Sequence, residues 1–132
     1  MQFDLLEIKK DNIMDVEKFR NYCLSLAGAK ENAPWTEPQY RYLVTFTLAG
    51  KWFCLLDLEN KFCDLKCAPD KVLELQDKYE GVQPAWHMNK NHWIKVVLDS
   101  DVPDDEIEAL ITDAYNLIFN SLTKAQRLSL TP

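Results

Sequence analysis

Apolar residues recur at three- and four-residue spacing over residues 13–27, through Ile13, Val16, Phe19, Tyr22, Cys23, Leu26 and Ala27, which places them on one stripe of a helix. Gly28 follows as a stop, and residues 29–39, with Pro34 and Pro38, read as a loop. The period then changes to two. Arg41–Leu48 alternates and is rich in Val, Thr, Phe and Tyr, Ala49-Gly50 supplies a tight turn, and Lys51–Asp57 returns as the second strand of a hairpin. Glu59-Asn60 makes another turn before Lys61–Cys67, so these strands form an antiparallel meander. Pro69 at a first helical position, with Asp70 beside it, opens a second helix through Tyr79, with Val72, Leu73 and Leu75 on its buried side.

Gly81 ends that helix, and Trp86–Met88 with His92–Leu98 read as a second hairpin about Asn89-Lys90. A third helix begins near Pro103, with acidic residues in its first turn where the helix dipole favours negative charge. Its apolar positions are Ile107, Leu110, Ile111, Ala114, Leu117 and Ile118. Thr123 can cap a short turn over Lys124–Leu128, and residues 1–12 fit either an extra strand or a cover over the first helix. Strands grouped between helices, in the order α-β-β-β-α-β-β-α, predict an α+β fold with helices packed on a five-stranded antiparallel sheet.

The chain has 132 residues, enough for one domain with a substantial core, and 47% hydrophobic with 11% aromatic content excludes a disordered protein. Net charge is −6, but its distribution is uneven: residues 1–39 carry −2, residues 40–98 carry +1 and residues 99–132 carry −5. A surface that is basic throughout is excluded, while a local basic surface in the middle of the chain is not. Cys23, Cys54, Cys63 and Cys67 lie inside apolar runs, and charged residues break up the N-terminal stretch. The expectation is therefore a cytoplasmic protein with reduced, buried thiols and no membrane segment.

The segment from Pro84 to Trp93 holds both histidines and two of the four tryptophans without an acidic residue. If Asn89 and Lys90 are the two loop residues of a hairpin, His87 faces His92 across the ladder and Lys90 projects from the tip. Cys63 and Cys67 share a strand face and, with His87 and His92, are metal-ligand types. No C-x-x-C pair accompanies them, and Cys63, Leu65 and Cys67 read better as an inward face, so no metal is expected. His87 or His92 as a base and Cys54 as a nucleophile lack any supporting motif: no G-x-S-x-G, phosphate loop or paired carboxylates occur. The expectation is a protein without catalytic residues or cofactor, not an enzyme.

Several motifs nevertheless have a familiar order. These are Tyr22-Cys23-Leu24-Ser25-Leu26 before Gly28-Ala29, then Gly50-Lys51-Trp52-Phe53, then Leu65-Lys66-Cys67-Ala68-Pro69. Val82, Pro84, His87, Asn89-Lys90, His92-Trp93, Leu98-Asp99, Pro103 and Ala114-Tyr115 continue the series. From about Phe19 to Arg127 the chain resembles the MmcQ/YjbR family. It departs modestly, with Ala27 where members often have Pro, Ala85 where they often have Gly, and Ala114 where they often have Ser. The resemblance implies a two-layer α+β fold similar to type III secretion chaperones, and DNA binding by projecting hairpins that act as paired wings. On this chain that places Lys90 at the centre of a phosphate-contacting surface, with Lys51, Lys66 and Lys95 supporting it. His87, Asn89, His92 and Trp93 would shape the hairpin, and Trp86 or Trp93 would offer a stacking face. DNA is then a weakly held, salt-sensitive partner. The alternative is a peptide- or protein-binding module whose acidic surface suits basic partners.

Overall fold

A computed structural model describes residues 14–130 of the chain. The expectations for residues 1–12, and for Ile13 in the first helix, fall outside the described residues. The elements are α1 (Val16–Ser25), β1 (Lys30–Asn32), a 3₁₀ turn (Pro38–Tyr40), β2 (Leu43–Leu48), β3 (Lys51–Asp57), β4 (Phe62–Lys66), α2 (Pro69–Lys78), β5 (Val82–Pro84), β6 (Trp93–Val97), α3 (Asp104–Ser121) and α4 (Lys124–Ser129). The strands form one antiparallel sheet in the order β1-β2-β3-β4-β6-β5. The α+β class holds, and the sheet has six strands rather than five.

The extra strand is β1, inside the stretch expected to be loop. Lys30-Glu31-Asn32 has no apolar alternation and poor strand propensity; pairing with β2, Lys30 opposite Thr47 and Asn32 opposite Thr45, makes it a strand. The second hairpin also differs from expectation. β5 lies upstream of Trp86, with Val82 opposite Val96 and Pro84 opposite Ile94. Residues 85–92 are therefore an eight-residue loop rather than two strand ends about a two-residue turn. Pro84 has no N–H for further pairing, and Trp93 opposite Lys66 is the last pair before the chain of β4 leaves for α2.

Side chains that alternate toward the helices build the core. Val44, Phe46 and Leu48 of β2, Leu56 of β3, Leu65 of β4 and Val96 of β6 are buried against Phe19, Ile107, Ile111 and Tyr115. Full burial of each large apolar side chain contributes about 1.5–3 kcal/mol. Phe46 lies opposite Cys54 but Thr47 lies opposite Trp52, so Phe53 is an extra residue in β3. This bulge lets Phe53 join the core, fully buried, with its ring 5.8 Å from Tyr115 in an edge-to-face contact. Tyr115 in turn donates from its hydroxyl to the Ala27 carbonyl at 2.5 Å, tying α3 to the end of α1. Leu73, expected on the buried side of α2, is 72% exposed, because Val72 and Leu75 already define the inward face.

Two positions rest on backbone geometry. Ala49 (φ 50°) and Gly50 (φ 77°) are both left-handed, as a type I′ turn requires, so the expected β2–β3 hairpin forms with one residue that dislikes its conformation. A Cβ on Gly81 would lie 2.0 Å from Ser100 Oγ, because Gly81 and Glu80 pack against the Ser100-Asp101 turn and donate their N–H groups to the Asp101 carboxylate. Among the described residues no helix is long and apolar enough to cross a membrane.

Candidate functional site

The helices occupy one face of the sheet, and the alternation that buries Val44, Phe46 and Leu48 beneath them turns Leu43, Thr45 and Thr47 to the other face. Leu55, Asp64, Lys66 and Lys95 share that second face by register, Thr45 opposite Leu55, Leu55 opposite Asp64 and Asp64 opposite Lys95. Thr45 and Asp64 are fully buried although none of the described helices covers them. Their cover comes from two loops, one carrying Trp35 and Tyr40, the other carrying Trp86, His87 and Met88.

Between these loops lies a cavity of about 350 Å³ lined by Trp35, Tyr40, Leu43, Trp52, Leu55, Trp86, His87 and Met88. Trp35 meets Trp52 edge to face at 5.6 Å and meets Tyr40 at 6.5 Å; Trp86 packs on His87 at 4.2 Å and on Phe62 at 5.8 Å. A second cavity of about 540 Å³ adjoins it across Trp52 and is more polar, lined by Lys30, Asn32, Ala33, Pro34, Thr45, Thr47 and Gly50.

Asp64 anchors the loop over residues 85–92. Its Oδ1 accepts the Trp86 N–H at 3.1 Å, and its Oδ2 is buried with no hydrogen-bond partner among the described residues. Burial pushes the carboxyl from 3.8 up to about 6, against the opposing pull of the Trp86 N–H and the Lys95 and Lys90 ammonium groups. In strand alternation Asp64 reads as an ordinary outward polar residue; only the loop folded over it makes it a buried one. Trp35 and Tyr40 escaped notice for the converse reason. They lie in a proline-rich segment, and the available signal was Trp35 between Pro34 and Pro38 with Tyr40 just after Pro38-Gln39.

Three of the four lysines expected from sequence share one end of the sheet. Antiparallel pairing puts Lys51, Lys66 and the loop carrying Lys90 at the same end of the sheet as Lys30, with Lys95 two residues inward from Trp93. Lys66 Nζ sits 5.6 Å from the centre of the Trp93 ring, Lys95 Nζ sits 4.4 Å from that of Phe62, and Lys90 Nζ donates to the Ala85 carbonyl at 3.3 Å. Lys61 lies at the opposite end, with Asp57 and Glu59 in the β3–β4 turn. That end also carries Asp99, Asp101 and the acidic first turn of α3, so carboxylates concentrate there, while the lysine end carries Asp70 in the first turn of α2.

The anticipated pairing of His87 with His92 does not occur, because the loop is eight residues long. His87 adopts φ 56° and is exposed beside Trp86. Asn89 Oδ1 accepts the Asn91 N–H and its carbonyl accepts the His92 N–H, while the His92 carbonyl accepts the Cys67 N–H at 2.9 Å. These residues, with Trp93 starting β6, shape a loop instead of a two-residue turn. Among the described residues no group of three His, Cys, Asp or Glu side chains could hold a metal ion. All four cysteines are buried and free; burial holds the Cys54 thiol well above its ordinary value and Cys67 at about 11, which leaves both as poor nucleophiles at neutral pH.

The family model for YjbR matches residues 24–117, a span that includes the whole sheet and both covering loops. The chain belongs to the YjbR family. Among YjbR relatives, the uncharacterized protein YbdF of Escherichia coli O157:H7 is 34% identical over 90 residues, covering 66% of this chain and 73% of its own. The uncharacterized protein YjbR of Escherichia coli K12 is 28% identical over 118 residues, covering 86% and 95%. The crystal structure of Deinococcus radiodurans protein DR2400 superposes with a TM-score of 0.78 at 27% identity over 89% of this chain and 88% of that one. A Pseudomonas syringae protein gives a TM-score of 0.67 at 31% identity, over 79% and 98%.

Proposed function

We propose that this YjbR protein is a nucleic-acid-binding protein rather than a catalyst, and that it holds phosphates at the basic end of its sheet. The observation that carries the reading is the gathering of Lys51, Lys66 and Lys90, separated in sequence, at one sheet end whose opposite end is acidic. Among the described residues these lysines form no ion pair; the contacts of Lys66 and Lys90 are with an aromatic ring and a carbonyl, which leave the positive charge in place. The Asp64 carboxylate interacts with both Lys95 and Lys90. Such a small set of contacts implies weak, sequence-tolerant and salt-sensitive binding. The alternative of peptide capture by strand addition has little template, since the edge strands β1 and β5 each run for three residues.

Anisotropy of a labelled oligonucleotide, titrated across salt concentrations, tests the reading. Replacing Lys90 by Glu lowers affinity at low salt and reduces the slope of log K against log salt by about 1, as expected for one lost phosphate contact. Equal affinity and slope for parent and Lys90→Glu remove Lys90 from the mechanism, and no binding at low salt removes nucleic acid altogether.

A further inference from the structure

We infer that the aromatic cavity between the two loops receives an unpaired base of a single strand, with the adjoining polar cavity and its lysines taking the phosphate beside it. The inference rests on the nucleic-acid reading above and specifies the form of ligand that the same face selects.

Three features of the face lead there. First, the cavity walls are flat rings held at steep angles to one another. Trp35 and Trp52 meet at 74°, so their contact is edge to face and does not consume both faces of each ring. Trp52 and Tyr40 keep 36% and 40% of their surface in solvent, an unusual exposure for aromatics with so many neighbours to pack against. Second, the chemistry changes abruptly at Trp52. On one side the lining is Leu43, Leu55, Met88 and aromatic rings; on the other it is Lys30, Asn32, Thr45 and Thr47, with Lys51 adjacent in the chain. An apolar, stacking compartment beside a cationic and hydroxyl-bearing one matches the two halves of a nucleotide. Third, the rim is basic while the rest of the molecule is acidic, so an apolar ring is favoured here when it comes attached to an anion.

The geometry also separates single strands from duplex. A base inside a duplex has both faces stacked and cannot enter a cavity, whereas an unpaired base presents a face to each aromatic wall. Stacking of this kind tolerates any base, because every base has a π-face.

The test is intrinsic fluorescence, because three of the four tryptophans (Trp35, Trp52 and Trp86) wall the cavity. Oligothymidylate, a duplex of the same length and an abasic strand of the same length are titrated at low salt. Oligothymidylate should quench the emission and bind more tightly than the other two. Trp52→Ala should weaken it about tenfold, the loss of one stacked base, while leaving the abasic strand unaffected. Tyr40→Ala, on a half-exposed loop residue, carries the same expectation if Trp52→Ala fails to fold. Equal affinity for all three probes, or full oligothymidylate affinity in the variants, overturns base insertion and leaves phosphate binding standing. Failure of all three probes to bind overturns both.

Discussion

Asp64→Asn isolates an ionisable group that the fold buries at the candidate site. Asparagine has nearly the same shape and keeps a side-chain oxygen for the Trp86 N–H, but it cannot ionise. The Asp64 carboxyl is raised from 3.8 to about 6 by burial, so the folded state resists ionisation that the unfolded chain accepts freely. Below 3.8 the carboxyl is protonated in both states and costs nothing. Between 3.8 and about 6 stability falls as pH rises, because only the unfolded chain releases the proton; above about 6 the loss is complete and constant. A rise of this size corresponds to about 3 kcal/mol, reduced to about 2 kcal/mol for screening by solvent through the thin loop cover. The variant carries its own fixed cost from an imperfectly bonded amide, but that cost is independent of pH and cancels when two pH values are compared. Urea unfolding, followed by tryptophan emission at about pH 4 and about pH 7.5, should therefore show the variant gaining about 2 kcal/mol on the parent between them. A parent–variant difference that is the same at both pH values refutes the assignment of Asp64 as a buried, neutral-leaning carboxyl.

Two further outcomes follow from backbone geometry. Ala49→Asn, at a left-handed turn position that Asn tolerates, should stabilise the protein by about 0.5–1 kcal/mol and raise the thermal midpoint by a few degrees; an unchanged or lower midpoint contradicts the I′ assignment. Gly81→Ala drives a Cβ to within 2.0 Å of Ser100 Oγ and should cost about 2–3 kcal/mol in denaturant unfolding; adding Ser100→Gly should recover part of it, and an unaltered midpoint in Gly81→Ala alone shows that the turn yields.

The legibility of this chain differed sharply between its two layers. Helix α3 and the β2–β3–β4 meander were readable because their side-chain periods, turn residues and capping positions are local properties of the chain. β1 was not: Lys30, Glu31 and Asn32 become a strand through β2 hydrogen bonds, with Glu31 also held by Arg20 at 2.7 Å. The stretch Trp86-His87-Met88 imitated a strand by composition, yet Pro84 and the departure of β4 toward α2 end the ladder before it. Of the lysines named from sequence, Lys51, Lys66 and Lys90 lie at one end and Lys95 lies inward, but Trp35, Tyr40 and Trp86, which help wall the cavity, lie outside the strands with no period to betray them.

Sequence by itself determined the fold class, most of the helices, the central meander and the uneven distribution of charge, since each depends on neighbours within a few residues. Tertiary structure alone decided that Trp35, Trp52 and Trp86 meet across one face and that Asp64 is buried rather than solvated. It also decided that Lys51, Lys66 and Lys90 share an end. The physical reason is that register and loop closure join residues distant in the chain, and their energetics depend on which surfaces meet, something no local period records.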